Sequence, residues 1–241
     1  MRVLAILLMA VISLPLFAAD KSRNYIPMIG DSAPSFTAES THGTINFPSD
    51  YGKNWKIVFS HPRDFTPVCS TEILELANLQ KEFDKLDVSI IVLSTDDLET
   101  HFRWKEALEE INFKNRGKKK ISFPLIDDRN YAVSDLYGMS HPNAERGNNI
   151  RGVFFIDRNN KIRASYFYPV EVGRNSAEII RTLKALQKTD DDFNVKTPAD
   201  WQEGEPVMVG FPNPLMLENM KLPGSIYFKY SWFMVYWNNE E

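Results

Sequence analysis

The sequence predicts an α/β protein, a β-sheet covered by helices. Short apolar runs of buried-strand type alternate with longer segments of helical periodicity. Two of those runs, Trp55–Ser60 and Val88–Ser94, are separated by a single helix, which makes a βαβ unit with a parallel strand pair. A length of 241 residues suits one large domain, or one domain with an appendage.

The elements follow in chain order. Met1-Arg2 supplies a positive charge, and Val3–Phe17 is apolar apart from Ser13 and Pro15. Ala18-Ala19 then precedes a polar stretch. This is the layout of a signal peptide over residues 1–19, too short for a comfortable membrane span. The expectation is cleavage after Ala18 or Ala19 and an exported chain, periplasmic or secreted, with no stable membrane insertion; an uncleaved anchor is the alternative. Pro34–Phe47 reads as a hairpin turning at His42-Gly43. After the strand Trp55–Ser60, Thr66-Pro67 reads as N-cap and first helical position, and Ile73, Leu76, Ala77, Phe83 and Leu86 form one helical face. Val88–Ser94 is the next strand and Leu98–Glu110 the next helix. Ile121–Ile126 reads as a strand interrupted by Pro124, and Val133–Tyr137 as a brief helix stopped by Gly138. Gly152–Ile156 and Ile162–Phe167 are strands joined by the turn residues Asp157–Asn160. Asn175-Ser176 caps a helix carrying Ile179, Ile180, Leu183 and Leu186 on one side.

From Thr189 the composition turns polar, so residues 29–188 are expected to be the main domain and 189–241 a small appendage. Within the appendage, Tyr227–Trp237 is strongly aromatic. It is either a packed β arm or an exposed patch for a partner or membrane surface. The net charge of −4 gives no basic footprint for nucleic acid, and Lys118–Lys120 reads as a solvated loop.

The chemistry gathers at one residue. Cys69 is the only cysteine, so an exported chain cannot use it in an intrachain disulfide; a reactive thiol or an intermolecular pair remains. It falls in the first turn of the helix that follows Trp55–Ser60, where free N–H groups and the positive dipole end favour an anion. A thiolate is the reactive form of cysteine. The absence of Cys-x-x-Cys excludes dithiol exchange of the thioredoxin type, and no Cys-His-Asn pattern supports a thiol hydrolase. His42, His101 and His141 show no metal-ligand spacing with each other or with Cys69.

Pro62, Thr66 and Cys69 stand in a P-x-x-x-T-x-x-C spacing within His61–Glu72, HPRDFTPVCSTE. This segment resembles the active-site loop of the peroxiredoxins, and its His61-Pro62-Arg63-Asp64 flank resembles the 1-Cys group in particular. Gly30–Phe36, Ser94-Thr95-Asp96, Phe123–Asp128, Arg151–Asp157, Tyr168-Pro169, Gly173-Arg174-Asn175 and Thr197–Trp201 extend the likeness from Ile29 to Val209. The resemblance implies a thioredoxin-like fold with a central mixed β-sheet and a C-terminal arm used in a homodimer. It implies a thiol-dependent peroxidase that takes hydroperoxides, uses an external thiol reductant, and needs no metal or cofactor.

The same resemblance assigns roles. Cys69 is the nucleophile. Thr66, three residues earlier, donates to peroxide oxygen, with a plain helix N-cap as the alternative. Arg151 stabilises the thiolate and the oxygens. Pro62 shapes the pocket. Arg174 is a second cation that binds substrate, and Glu72 holds the arginines, unless it is only a first-turn acid complementing the dipole. His61 is placed to hydrogen-bond near the sulfur and substrate, with a packed histidine at a strand end as the alternative. Some members of the group carry a lipase serine in a G-D-S-W-G string before the catalytic strand; the matching Gly52–Lys56 has Asn54 in the serine position.

Overall fold

The structure is a computed structural model, and it describes residues 25–140 and 149–238. The expected leader lies outside these residues, as does His141. The elements are β1 (Phe36–Ser40), β2 (Gly43–Phe47), β3 (Trp55–Ser60), α1 (Pro67–Lys85), β4 (Val88–Ser94), α2 (Leu98–Glu109), β5 (Leu125–Asp127) and α3 (Ala132–Leu136). There follow β6 (Arg151–Ile156), β7 (Ile162–Tyr168), α4 (Ser176–Asp191), β8 (Val195–Lys196), β9 (Val207–Val209), α5 (Pro214–Asn219), β10 (Tyr227–Ser231) and β11 (Met234–Trp237).

Seven strands form one mixed sheet in the order β2-β1-β5-β4-β3-β6-β7. β3 and β4 pair in parallel, as do β4 and β5, while β6 and β7 add antiparallel edges. The central strands are largely apolar in their middles, with Lys56, Ser60, Ser89, Ser94 and Arg151 towards their ends, because both faces are covered. Ile57, Phe59, Ile90, Val92 and Phe155 face α1, α2 and α4 through Ile73, Leu76, Trp104, Leu108, Ile179 and Leu183. Val58, Ile91, Leu93 and Phe154 pack on the other face with Phe36, Phe47, Val133 and Tyr137. β3 therefore lies inside the sheet, between β4 and β6, and its C-terminal end feeds the loop that leads to Cys69 in α1.

Two local expectations differ from what is found. The strand expected at Ile121–Ile126 begins only at Leu125. Pro124 has no N–H to give the ladder; its carbonyl accepts from Val92 N at 3.1 Å, and regular pairing starts after it. Ile121 and Phe123 are still buried, as core residues of a loop. Thr66 does occupy the N-cap of α1, but its hydroxyl does not cap; it donates to Arg63 O at 2.9 Å.

The appendage has its own four-stranded antiparallel sheet, β10-β11-β9-β8. Val195, Trp201 and Val207 form a small core, with Ala185 of α4 and Trp237 packed against it. The aromatic run is thus a hairpin in which Phe228 stacks on Tyr236 at 5.1 Å. Its turn leaves Trp232 81 % and Phe233 64 % exposed.

Gly138 ends α3 with φ +62°, and a Cβ there would lie 2.5 Å from Ile26 Cγ1 and 3.2 Å from Ile26 Cα. Gly138→Ala is expected to destabilise the protein by about 2 kcal/mol, from left-handed strain plus the clash, measured by denaturant unfolding.

Candidate active site

β3 ends at Ser60, and α1 starts at Pro67 after a six-residue loop. The first intrahelical bond runs from Ser70 N to Thr66 O at 3.0 Å, so the N–H groups of Val68 and Cys69 have no partner within the helix. Cys69 is the third residue of α1 and is 0 % exposed. Thr71, one position off the buried face, points its hydroxyl to Val68 O and plays no part in the site.

Arg151, the first residue of β6, is brought to Cys69 across the antiparallel β3–β6 pair. Its Nη1 donates to Cys69 Sγ at 3.3 Å and to Glu72 Oε2 at 2.7 Å. Its Nε and Nη2 both donate to Val170 O, so the guanidinium plane is held from two sides. Glu72 lies one turn along α1 from Cys69 and is buried. It accepts from Arg174 N and Nε through Oε1, and from Arg174 Nη2 through Oε2, all at 2.8 Å. Burial pushes the Glu72 carboxyl up, but the hydrogen bonds and charge of Arg174, joined by the charge of Arg151, outweigh it and hold it below the usual carboxylate range.

Arg174 itself is buried, not solvent-exposed as a loop arginine usually is. Its guanidinium lies 3.3 Å from the centre of the Phe59 ring. Its Nη1 donates to Ser60 O at 2.8 Å and Gly152 O at 2.9 Å. Burial pulls its pKa down, against the upward pull of Glu72. Two guanidinium cations thus share one carboxylate, which leaves an excess positive charge beside Cys69 Sγ.

A pocket of about 390 Å³ opens above this cluster, lined by Pro62, Arg63, Thr66, Pro67, Val68, Arg151 and Val170. The expected Pro62, Thr66 and Arg151 therefore meet at its wall, with Cys69 buried behind them. Because the Thr66 hydroxyl donates to Arg63 O, its oxygen keeps lone pairs for a donor in the pocket. Arg174 and Glu72 do not line the pocket; they hold Arg151 from behind. A second cleft, at the opposite end of β3, contains Asn54 with His42, Asp50, Gln80, Asp84 and Asp87 and has no serine in the place of Asn54.

His61 is turned away from the pocket. Its Nε2 donates to Asp64 Oδ1 at 2.8 Å, its ring lies 5.0 Å from that of Trp104, and its Nδ1 has no hydrogen-bond partner. The second oxygen of Asp64 accepts from His101 Nδ1 at 2.7 Å, and His101 Nε2 donates to Ile126 O at 3.0 Å. A carbonyl can only accept, so both nitrogens of His101 carry protons and the ring is an imidazolium paired with Asp64. Burial raises Asp64, but the hydrogen bonds from His101 and His61 outweigh it and bring it down to about 2. Burial lowers His101, and its bond to Asp64 reverses this, leaving it raised. Sequence reasoning missed this triad; the available signal was the i, i+3, i+7 face His101, Trp104, Leu108, all buried on α2. Donor atoms of His61, Asp64 and Asp96 lie within 4.8 Å of one another. Asp64 spends both oxygens on the histidines, and Asp96 Oδ2 accepts from Asp64 N and Ser94 Oγ, while His61 Nδ1 is left without a partner.

Replacing His101 by Gln leaves the Asp64 charge buried without its cation, and a loss of about 3 kcal/mol is expected near pH 6. The contribution of Asp64 is present above its unfolded value of 3.8 and is lost as the pH falls through about 2. That of His101 is complete below its unfolded value of 6.5 and is lost as the pH rises through its raised native value. The stability difference between wild type and His101→Gln should therefore be widest between these two unfolded values and narrow on either side, as read by urea unfolding across the pH range.

Comparison with known proteins places the chain in a family. The AhpC/TSA family pattern matches residues 29–165. A peroxiredoxin of Methanosarcina mazei is 45% identical over 197 residues, covering 81% of this chain and 89% of that protein. A 1-Cys peroxiredoxin of Dictyostelium discoideum is 41% identical over 196 residues, 79% of each chain. Among solved structures, a yeast mitochondrial 1-Cys peroxiredoxin, studied for thiol resolution through glutathione and thioredoxin systems, superposes with a TM-score of 0.76 at 36% identity, covering 89% of this chain and 100% of its own. With a lone cysteine in a thioredoxin-like fold and relatives of this kind, the chain belongs to the AhpC/TSA family, as a thiol-dependent peroxidase of the 1-Cys peroxiredoxin type.

Proposed function

We propose that Cys69 reduces hydroperoxides entering the pocket bounded by Pro62, Thr66 and Arg151, and that a thiol from another molecule restores it. The observation that carries the site assignment is the 3.3 Å contact between Arg151 Nη1 and Cys69 Sγ at the inner wall of that pocket. The Cys69 thiolate attacks one peroxide oxygen. The O–O bond breaks, its electron pair leaves with the other oxygen, and that oxygen takes up a proton to give alcohol or water. Arg151 donates to the oxygens as charge moves onto them, and the Thr66 oxygen accepts from the peroxide O–H. Cys69 is left as a sulfenic acid. An external thiol condenses with it, forming a mixed disulfide and releasing water; a second external thiol then displaces Cys69 and leaves with the first as a disulfide.

A lone cysteine supports this cycle, since the chain has no second thiol to resolve the sulfenate. A donor of the glutathione or thioredoxin class fits the chemistry. The aromatic hairpin β10–β11 is read as an arm that packs across a homodimer, which its exposed Trp232 and Phe233 support. Export is supported by the apolar run Val3–Phe17 followed by Ala18-Ala19.

Cys69→Ser should abolish peroxide consumption while keeping the fold, because a hydroxyl is far less nucleophilic at neutral pH. Arg151→Met should slow the oxidation of Cys69 by about 100-fold, the cost of one oxygen-stabilising donor. One equivalent of peroxide without donor should give a sulfenate that a dimedone-type probe traps, seen by mass spectrometry; a predominant Cys69–Cys69 disulfide instead would refute the cycle. Sedimentation of wild type against a chain lacking residues 225–241 checks the arm, and N-terminal sequencing of the native protein, expected to begin near Ala19 or Asp20, checks export.

A further inference from the structure

We propose that Ser60, through its buried hydroxyl, is a positioning residue for Arg151 in the peroxidase reaction. The β3–β6 ladder pairs Lys56 with Ile156 through to Phe59 with Val153 and then stops. One residue further on, Ser60 lies beside Gly152, and a side chain takes over from the ladder. Ser60 Oγ accepts from Gly152 N at 2.8 Å and donates to Ile150 O at 2.6 Å. These two main-chain groups flank Arg151 on either side.

The backbone is also bent at that point. Gly152 N reaches Ile150 O at 3.1 Å, closing a three-residue turn with Arg151 at its centre. A turn this small holds itself weakly, and the serine hydroxyl bridges its two ends. The fit opposite is tight: a Cβ at Gly152 would stand 3.2 Å from Ser60 Oγ and 3.3 Å from the Met139 side chain, so any side chain there presses on the same hydroxyl. Arg174 Nη1 joins the carbonyls of the same two residues, Ser60 and Gly152. Ser60 thus links the strand that leads into the Cys69 loop to the turn that aims the Arg151 guanidinium at Sγ.

An alternative reading is that a buried serine merely satisfies a strand end. The two readings differ in what Ser60 acts through. If it acts through Arg151, its removal has no consequence for rate once the guanidinium is gone. This inference rests on the role of Arg151 given above, and an Arg151→Met variant that oxidises at the wild-type rate would refute that role instead.

The test is a double-mutant cycle on the full chain, with the rate of Cys69 oxidation by hydrogen peroxide measured by rapid quench and mass spectrometry, and folding checked by thermal melting. Ser60→Ala is expected to oxidise about tenfold more slowly than wild type, as a guanidinium displaced by a fraction of an ångström requires. Its mixed-disulfide reduction by added thiol should be unchanged. In the Arg151→Met background, Ser60→Ala should produce no further slowing. A folded Ser60→Ala whose rate lies within about twofold of wild type, or a loss that multiplies with that of Arg151→Met, overturns the proposal. If Ser60→Ala does not fold, Gly152→Ala, which crowds the same hydroxyl without removing it, is carried through the same cycle with the same criteria. Failure of both to fold also overturns it, since the bridge would then serve the fold and not the guanidinium.

Discussion

The site depends on one buried carboxylate. Glu72 is the carboxylate that lets two guanidinium groups sit side by side in the interior, with Arg151 on one of its oxygens and Arg174 on both. Without it the like charges would repel in a region of low dielectric, and neither arginine would stay. Because Glu72 stands one turn beyond Cys69 on the same helix, the placement of α1 sets the sulfur and the counter-charge of its arginine together. Loop and sheet geometry then follow from that pair: Arg174 draws its loop over the ends of β3 and β6, and Arg151 draws Val170 over the pocket.

Much of this was legible in the residues alone. The alternation of strand and helix, the start of α1 at Pro67 and the position of Cys69 in its first turn all came from local pattern, because each is decided within a few residues. The convergence of Pro62, Thr66 and Arg151 came from likeness to the peroxiredoxins, since no periodicity tells that a strand beginning at residue 151 lies over a helix beginning at 67.

What escaped was set by tertiary partners. Pro124 displaced the start of β5 because whether a missing N–H matters depends on which neighbour the strand meets. Thr66 has the residue type and position of a cap, but the carbonyl of Arg63 captured its hydroxyl. His101 sits among charged residues on α2 and looks solvent-facing until Asp64 arrives from a loop 37 residues earlier. His61, expected at the pocket, is held by that same carboxylate. The burial of Arg174 likewise depends on Glu72, 102 residues before it.

Trp104 adds a consequence of a different kind. Its Nε1 donates to Ser70 Oγ at 3.3 Å, next to Cys69 on α1, and its ring lies against His61 at the other end of the loop. The indole thus touches both margins of the reactive segment while remaining almost wholly out of solvent. Any displacement of the first turn of α1 would change the polarity and contacts around that ring, so the packing of one indole joins the geometry of the helix start to that of the loop's beginning.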